Sequence, residues 1–158
     1  MAAEFSPPLP GAVLFACNFN RVRSPMAEAL LRRVLGDRVH VDSCGLKRAP
    51  GDEAVDPFVH VVMAEVGCDV SDYRSKTFDD LEDASFDLIV SLTPESQHRA
   101  ADFTRSRSTQ IEYWPTYDPT LAEGAREVRL EAYRQVRDAL AARIAERFGV
   151  GVTAPGDA

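Results

Sequence analysis

Between Ala12 and Glu28 the chain passes from apolar strand to tight loop to helix, and this passage restricts the fold more than any other stretch of the 158 residues. Ala12 to Ala16 is an apolar run that ends at Cys17, and Arg23 and Ser24 follow six and seven positions later. Pro25 stands at an early helical position, where its missing N–H costs nothing. Met26, Leu30 and Val34 then share one face of a helix. A strand end, a loop and a helix N-terminus are thereby gathered around one thiol and one guanidinium.

That arrangement has a chemistry. Backbone N–H groups arranged as a nest at a helix N-terminus bind a tetrahedral oxyanion. The same groups stabilise negative charge on a sulfur placed among them, so Cys17 is a candidate nucleophile. Arg23 adds a planar pair of charged hydrogen bonds to two oxygens of the anion. Asn18, Phe19, Asn20, Arg21, Val22 and Ser24 complete the candidate phosphate-binding loop. Asn20 suits a left-handed position that aims N–H groups inward. Ser24 is placed to hydrogen-bond the Cys17 sulfur, to cap the helix, or both. A strand-end cysteine alone would read as a packing residue; the flanking strand and helix opening argue for chemistry.

Hydrophobic period marks further strands at about 38–42, 86–92 and 109–113. It marks helices at about 24–36, at 56–67, from Pro94, and at 126–148, with 68–85 irregular apart from a helical turn near Phe78 to Leu81. Asp56-Pro57 has the form of an N-cap followed by a first-position proline. Strands alternating with helices predict one α/β domain: a four-stranded parallel sheet with helices on both faces and a phosphate-binding loop after the first strand. Its expected bounds are 12–148, between a flexible N-terminus at 1–11 and a flexible tail at 149–158. Ligands bind such sheets at the carboxyl ends of strands, where the Cys17 loop lies.

A cysteine that attacks phosphorus needs an acid on the far side of the breaking bond. Asp118, in Trp114-Pro115-Thr116-Tyr117-Asp118-Pro119, follows the last predicted strand, so its loop returns to the same sheet edge. Asp-Pro alone is ordinary turn chemistry; its position relative to the thiol loop makes Asp118 the candidate acid.

The net charge of −7 argues against nucleic acid and anionic membranes as partners, so an anion must be attracted locally. Cys17, Cys44 and Cys68 are odd in number and lack metal spacing, which points to a reduced, cytoplasmic protein without a metal or cofactor. Met1 to Gly11 has no basic region followed by an apolar stretch, so it does not read as a secretory signal.

The stretches VLFACNFNRVRSPMAEAL, VDSCG, FDLIVSL and YDPT, ahead of a long final helix, resemble the low-molecular-weight protein tyrosine phosphatase family, which has a branch of thiol-dependent arsenate reductases. The resemblance spans about Ala12 to Phe148. It implies that Cys17 is the nucleophile, Arg23 the phosphate-binding arginine and Asp118 the acid, with Asn20, Ser24 and Ser43 bracing the loop. The implied ligands are a phosphorylated protein or small phosphomonoester as substrate, and inorganic phosphate, vanadate or arsenate. Several positions depart from the family's pattern. Phe19 replaces a usual glycine and must point toward the pocket mouth. Val22 replaces a second loop cysteine, leaving Cys17 without that disulfide partner unless Cys44 reaches it. Thr120 and Leu121 replace aromatic walls, and the histidine usual near Tyr73 is absent, which implies a partial bracing network.

Two rival functions follow. Tyr113-Trp114 and the acidic, Arg-rich last helix resemble the arsenate reductase branch, but reduction needs a second thiol. The thioredoxin-linked members carry two further cysteines after the central strand, and Ser91 to Ala101 has none, so a reductase here would use Cys44 or an external small thiol. The other rival is a non-catalytic phosphate-binding module, against which the joint presence of Cys17, Arg23 and Asp118 argues.

Overall fold

Four parallel strands in the order β2-β1-β3-β4 put the first strand, and the loop that leaves it, in the middle of the sheet. The computed structural model describes residues 9–51, 54–81, 85–104 and 108–149. The elements are β1 (Ala12–Cys17), α1 (Arg23–Leu35), β2 (His40–Gly45), α2 (Pro57–Ala64), β3 (Leu88–Ser91), α3 (Pro94–Phe103), β4 (Gln110–Tyr113) and α4 (Arg126–Phe148), with short 3-10 turns at Gly36–Arg38, Phe78–Asp80 and Pro119–Leu121. The expected N-terminal and C-terminal segments lie largely outside the described residues. Among the described residues, no helix is long and apolar enough to cross a membrane.

Alternation along β1 sorts the core into two layers. Val13, Phe15 and Cys17 point into the larger, with Met26, Leu30 and Leu31 of α1 and Leu140 and Ile144 of α4. Leu14 and Ala16 point the other way, onto Cys44, Phe78, Ile89 and Ala100. α1 is buried more widely than a single stripe of Met26, Leu30 and Val34. Ala27, Leu31 and Leu35 are also inside and Val34 is only half-buried, because both the sheet and α4 pack on this helix.

β2 runs three residues beyond its expected end at Asp42 and starts two later. Gly36–Arg38 coils into a turn whose Arg38 side chain donates to the Leu35 and Val34 carbonyls. Ser43, Cys44 and Gly45, small residues with weak strand preference, pair with Phe15, Ala16 and Cys17. The parallel ladder also runs past the end of β4: the Trp114 N–H donates to the Ser91 carbonyl at 2.8 Å and the Thr116 N–H to the Leu92 carbonyl at 3.2 Å. These bonds draw the Asp118 loop across the top of β3 toward Cys17.

Candidate active site

Cys17 ends β1, and the chain turns over it through Asn18–Val22 before entering α1. Asn20 makes the turn possible at φ 57°, the single non-glycine residue with positive φ among the described residues. No side chain caps the N-terminus of α1, so its first-turn N–H groups stay available to an anion. Gly45 lets the loop lie flat on β2: a Cβ there would stand 2.8 Å from both Asn20 N and Phe19 C and 2.9 Å from Asn18 O.

The loop is braced from beneath by a continuous set of hydrogen bonds. Ser24 Oγ lies 2.9 Å from Cys17 Sγ. Asn20 Nδ2 donates to Ser24 Oγ at 2.8 Å and to Ser43 Oγ at 2.9 Å, using both amide hydrogens. Because Ser24 Oγ accepts from Asn20, its own hydrogen is free for an acceptor, and two lie within reach, the Cys17 sulfur at 2.9 Å and the Cys44 carbonyl at 3.4 Å. Ser43 Oγ in turn donates to Glu28 Oε1 at 2.5 Å. Asn20 Oδ1 accepts from the Lys76 N–H at 3.0 Å, and the Asn20 carbonyl accepts from Ser75 Oγ at 2.8 Å. The network expected to be partial thus has further members, Glu28, Ser75 and Lys76. Burial pushes the Glu28 carboxyl above its ordinary value, against the Ser43 hydrogen bond and the Arg32 guanidinium, which donates to Glu28 Oε2 at 2.6 Å. Arg32 also donates to the Tyr73 hydroxyl at 2.8 Å, and burial pushes that hydroxyl up to about 12.

Above the loop lies a pocket of about 220 Å³ lined by Cys17, Phe19, Arg21, Val22, Arg23, Asp118 and Thr120, together with Ala49, Pro50 and Asp56. The Arg23 guanidinium donates to the Thr116 carbonyl at 3.1 Å and stands 3.9 Å from Asp118 Oδ2, which ties Arg23 to the loop that carries Asp118. Asp118 is both turn former and pocket residue. Its Oδ1 accepts from the Thr120 N–H and hydroxyl, and Oδ2 faces Arg23. Phe19 is 39% exposed at the mouth, as a bulky side chain in that position must be. Asn18 faces away from the pocket and accepts from Thr93 Oγ1 at 2.8 Å.

Asp56 has a second role beyond the expected helix cap. It accepts from the Phe58 N–H, and its other oxygen accepts from the Tyr133 hydroxyl at 3.0 Å at the pocket wall. Burial, with the nearby Asp56 charge, pushes the Tyr133 hydroxyl well above its ordinary value. Sequence reasoning missed Glu28, Ser75 and Asp56 as site residues. Only Glu28 left a trace: Ser24, Glu28 and Arg32, at four-residue spacing, form a polar stripe on a helix otherwise apolar at its start.

The register corrects one expectation. Cys44 pairs with Ala16, and its side chain sits in the layer of Leu14 and Phe78, on the opposite face of the sheet from Cys17. Burial and the neighbouring Cys17 push its thiol well up. Side chains pointing to opposite faces cannot be bridged without moving a strand, so Cys44 does not serve as a resolving thiol.

Residues 12–147 match the family described as low molecular weight phosphotyrosine protein phosphatase. An arsenate reductase of Halalkalibacterium halodurans is 34% identical over 134 residues, covering 84% of this chain and 91% of that protein. A low molecular weight protein-tyrosine-phosphatase of Streptomyces coelicolor is 33% identical over 124 residues, covering 73% and 74%. The crystal structure of a tyrosine phosphatase of Erwinia amylovora shares the fold with a TM-score of 0.71 at 22% identity, covering 92% of this chain and 95% of that one.

Proposed function

The chain belongs to the low molecular weight phosphotyrosine protein phosphatase family and is an enzyme of that class, and we propose that it hydrolyses phosphomonoesters through a cysteinyl-phosphate at Cys17. The observation that carries this reading is that Cys17, Arg23 and Asp118 line one pocket at the mouth of an uncapped helix. In the first step the Cys17 sulfur attacks phosphorus and the ester P–O bond breaks. Asp118 gives its proton to the leaving oxygen, while Arg23 and the loop N–H groups hold the three remaining oxygens. In the second step Asp118 takes a proton from water, whose oxygen attacks phosphorus. The S–P bond breaks, and the Ser24 hydroxyl stabilises the departing sulfur. Asn18, Phe19, Asn20, Arg21 and Val22 supply the loop, and Ser43 supports it. The proposed cytoplasmic location rests on the three cysteines, which are all unpaired.

The test is hydrolysis of an aryl phosphate by the wild type, Cys17→Ser and Asp118→Ala. Cys17→Ser abolishes turnover yet still binds phosphate or vanadate, and Asp118→Ala slows the first step most for poor leaving groups. Equal, slow hydrolysis by wild type and Cys17→Ser overturns the mechanism.

A second reading, arsenate reduction with an external small thiol, is favoured by the 34% identity to the Halalkalibacterium halodurans arsenate reductase. With Cys44 on the far face, the resolving thiol must come from solution. Arsenate-dependent oxidation of a small thiol that requires Cys17 distinguishes this reading; its absence leaves the phosphatase.

A further inference from the structure

The pocket holds two guanidiniums, and the phosphoryl group accounts for one. Arg23 enters from the start of α1 and is shared between the anion position and the acid loop. Arg21 lines the same pocket from the loop. Its Nε donates to the Ala54 carbonyl at 2.9 Å, and its own carbonyl accepts from the Asp56 N–H at 3.0 Å, so backbone and side chain are both pinned. Its terminal nitrogens meet no carboxylate among the described residues.

A third cation stands at the same mouth. Lys47 Nζ lies 5.7 Å from the centroid of the exposed Phe19 ring and forms no ion pair among the described residues, whereas its neighbour Arg48 is taken by Asp80 at 2.7 Å. On a chain of net charge −7, Arg21 and Lys47, neither paired with a carboxylate among the described residues, give this opening a local positive charge. The carboxylates that line the pocket offset them only in part, since Asp56 keeps its charge while both of its oxygens are occupied. Asp56 is engaged by the Phe58 N–H and the Tyr133 hydroxyl, and Asp118 is protonated when it meets a substrate in the proposed first step. The lining has one aromatic ring, Phe19, beside Ala49, Pro50 and Thr120, so a neutral aromatic substituent has a single ring to stack on. A second negative charge beside the phosphoryl ester meets charged donors instead.

Resting on the phosphatase reading above, we propose that Arg21 is a specificity residue that selects phosphomonoesters carrying a second anionic group next to the ester. That group is a carboxylate held on the substrate itself or on a neighbouring acidic residue of a phosphorylated peptide. Arg21 presents a pre-positioned fork to it, and Lys47 adds a longer-range attraction.

The experiment compares kcat/KM for 3-carboxyphenyl phosphate with that for its uncharged carboxamide. A phosphotyrosine peptide flanked by Glu is compared with one flanked by Gln to separate the two sources of the charge. For a partly exposed guanidinium, the wild type should favour the charged ester by about five- to tenfold at low salt, and less at high salt. Arg21→Met brings the ratio toward that of the bare leaving-group chemistry, and Arg21→Lys restores part of it. Binding of the same pairs to Cys17→Ser protein reads the preference without turnover, so it stands apart from a failure of the hydrolytic mechanism. A ratio that Arg21→Met and salt both leave unchanged overturns the proposal, as does equal binding of the charged and uncharged esters. Where Arg21→Met does not fold, Arg21→Lys and the salt dependence of the wild-type ratio decide.

Discussion

Replacing Asn20 tests whether the loop is held by side-chain hydrogen bonds or only by its covalent path. Asn20 is 2% exposed, donates to Ser24 and Ser43, and accepts from the Lys76 N–H. At about 1 kcal/mol net for each of these bonds, Asn20→Gly loses about 3 kcal/mol, because glycine adopts φ 57° without strain. Asn20→Ala loses the same bonds and adds about 1 kcal/mol for a Cβ in the left-handed region, near 4 kcal/mol in all. For a domain of this size about 3 kcal/mol corresponds to a melting temperature lower by roughly 6–12 °C. Urea unfolding of the two variants and the wild type, with equal m-values, reads both numbers. Vanadate binding should weaken in parallel, since the N–H groups of the loop lose their aim. A glycine variant within about 1 kcal/mol of wild type, or an alanine variant no worse than glycine, refutes the reasoning.

Three further outcomes follow from the same geometry. Gly45→Ala forces a methyl group against loop backbone on three sides, so phosphate affinity should fall at least tenfold while β2 still pairs; calorimetric titration checks this. Ser24→Ala removes the hydroxyl beside the sulfur, so the thiolate leaves more slowly and rapid mixing should show a burst of aryl alcohol followed by a slower steady rate. Burial raises the Glu28 carboxyl above 4.5, so between that value and its folded one the native state holds a proton that the unfolded chain has shed. Its contribution to stability is therefore full below about pH 4.5 and is lost as pH rises through the folded value. Glu28→Gln should flatten this decline, gaining on the wild type as pH rises; unfolding curves parallel at every pH contradict it.

Much of the molecule could be read from local pattern. Four apolar runs, each followed by a helix opening, imply the parallel α/β sheet, because hydrophobic period and proline position are properties of neighbouring residues. The spacing from Cys17 through Arg23 to Ser24 likewise implies an anion loop, since strand end and helix start are contiguous in the chain. Asp118 could be assigned to the same edge because it follows a strand.

What the sequence by itself determined is therefore the order of elements, the loop that carries Cys17 and the sheet edge on which Asp118 appears. Tertiary structure decided everything that depends on which face a side chain takes or on what lies beneath the loop. Cys44 is one residue from Ser43, yet the two-residue period of β2 sends Ser43 under the loop to Asn20 and Glu28 and sends Cys44 to the opposite layer. Asp56, Ser75 and Lys76 reach the site from loops with no periodic signal, through hydrogen bonds 55 to 77 positions apart in the chain. Such contacts exist only once the sheet has brought its loops to one edge, because hydrogen bonds between distant segments leave no mark on either segment alone.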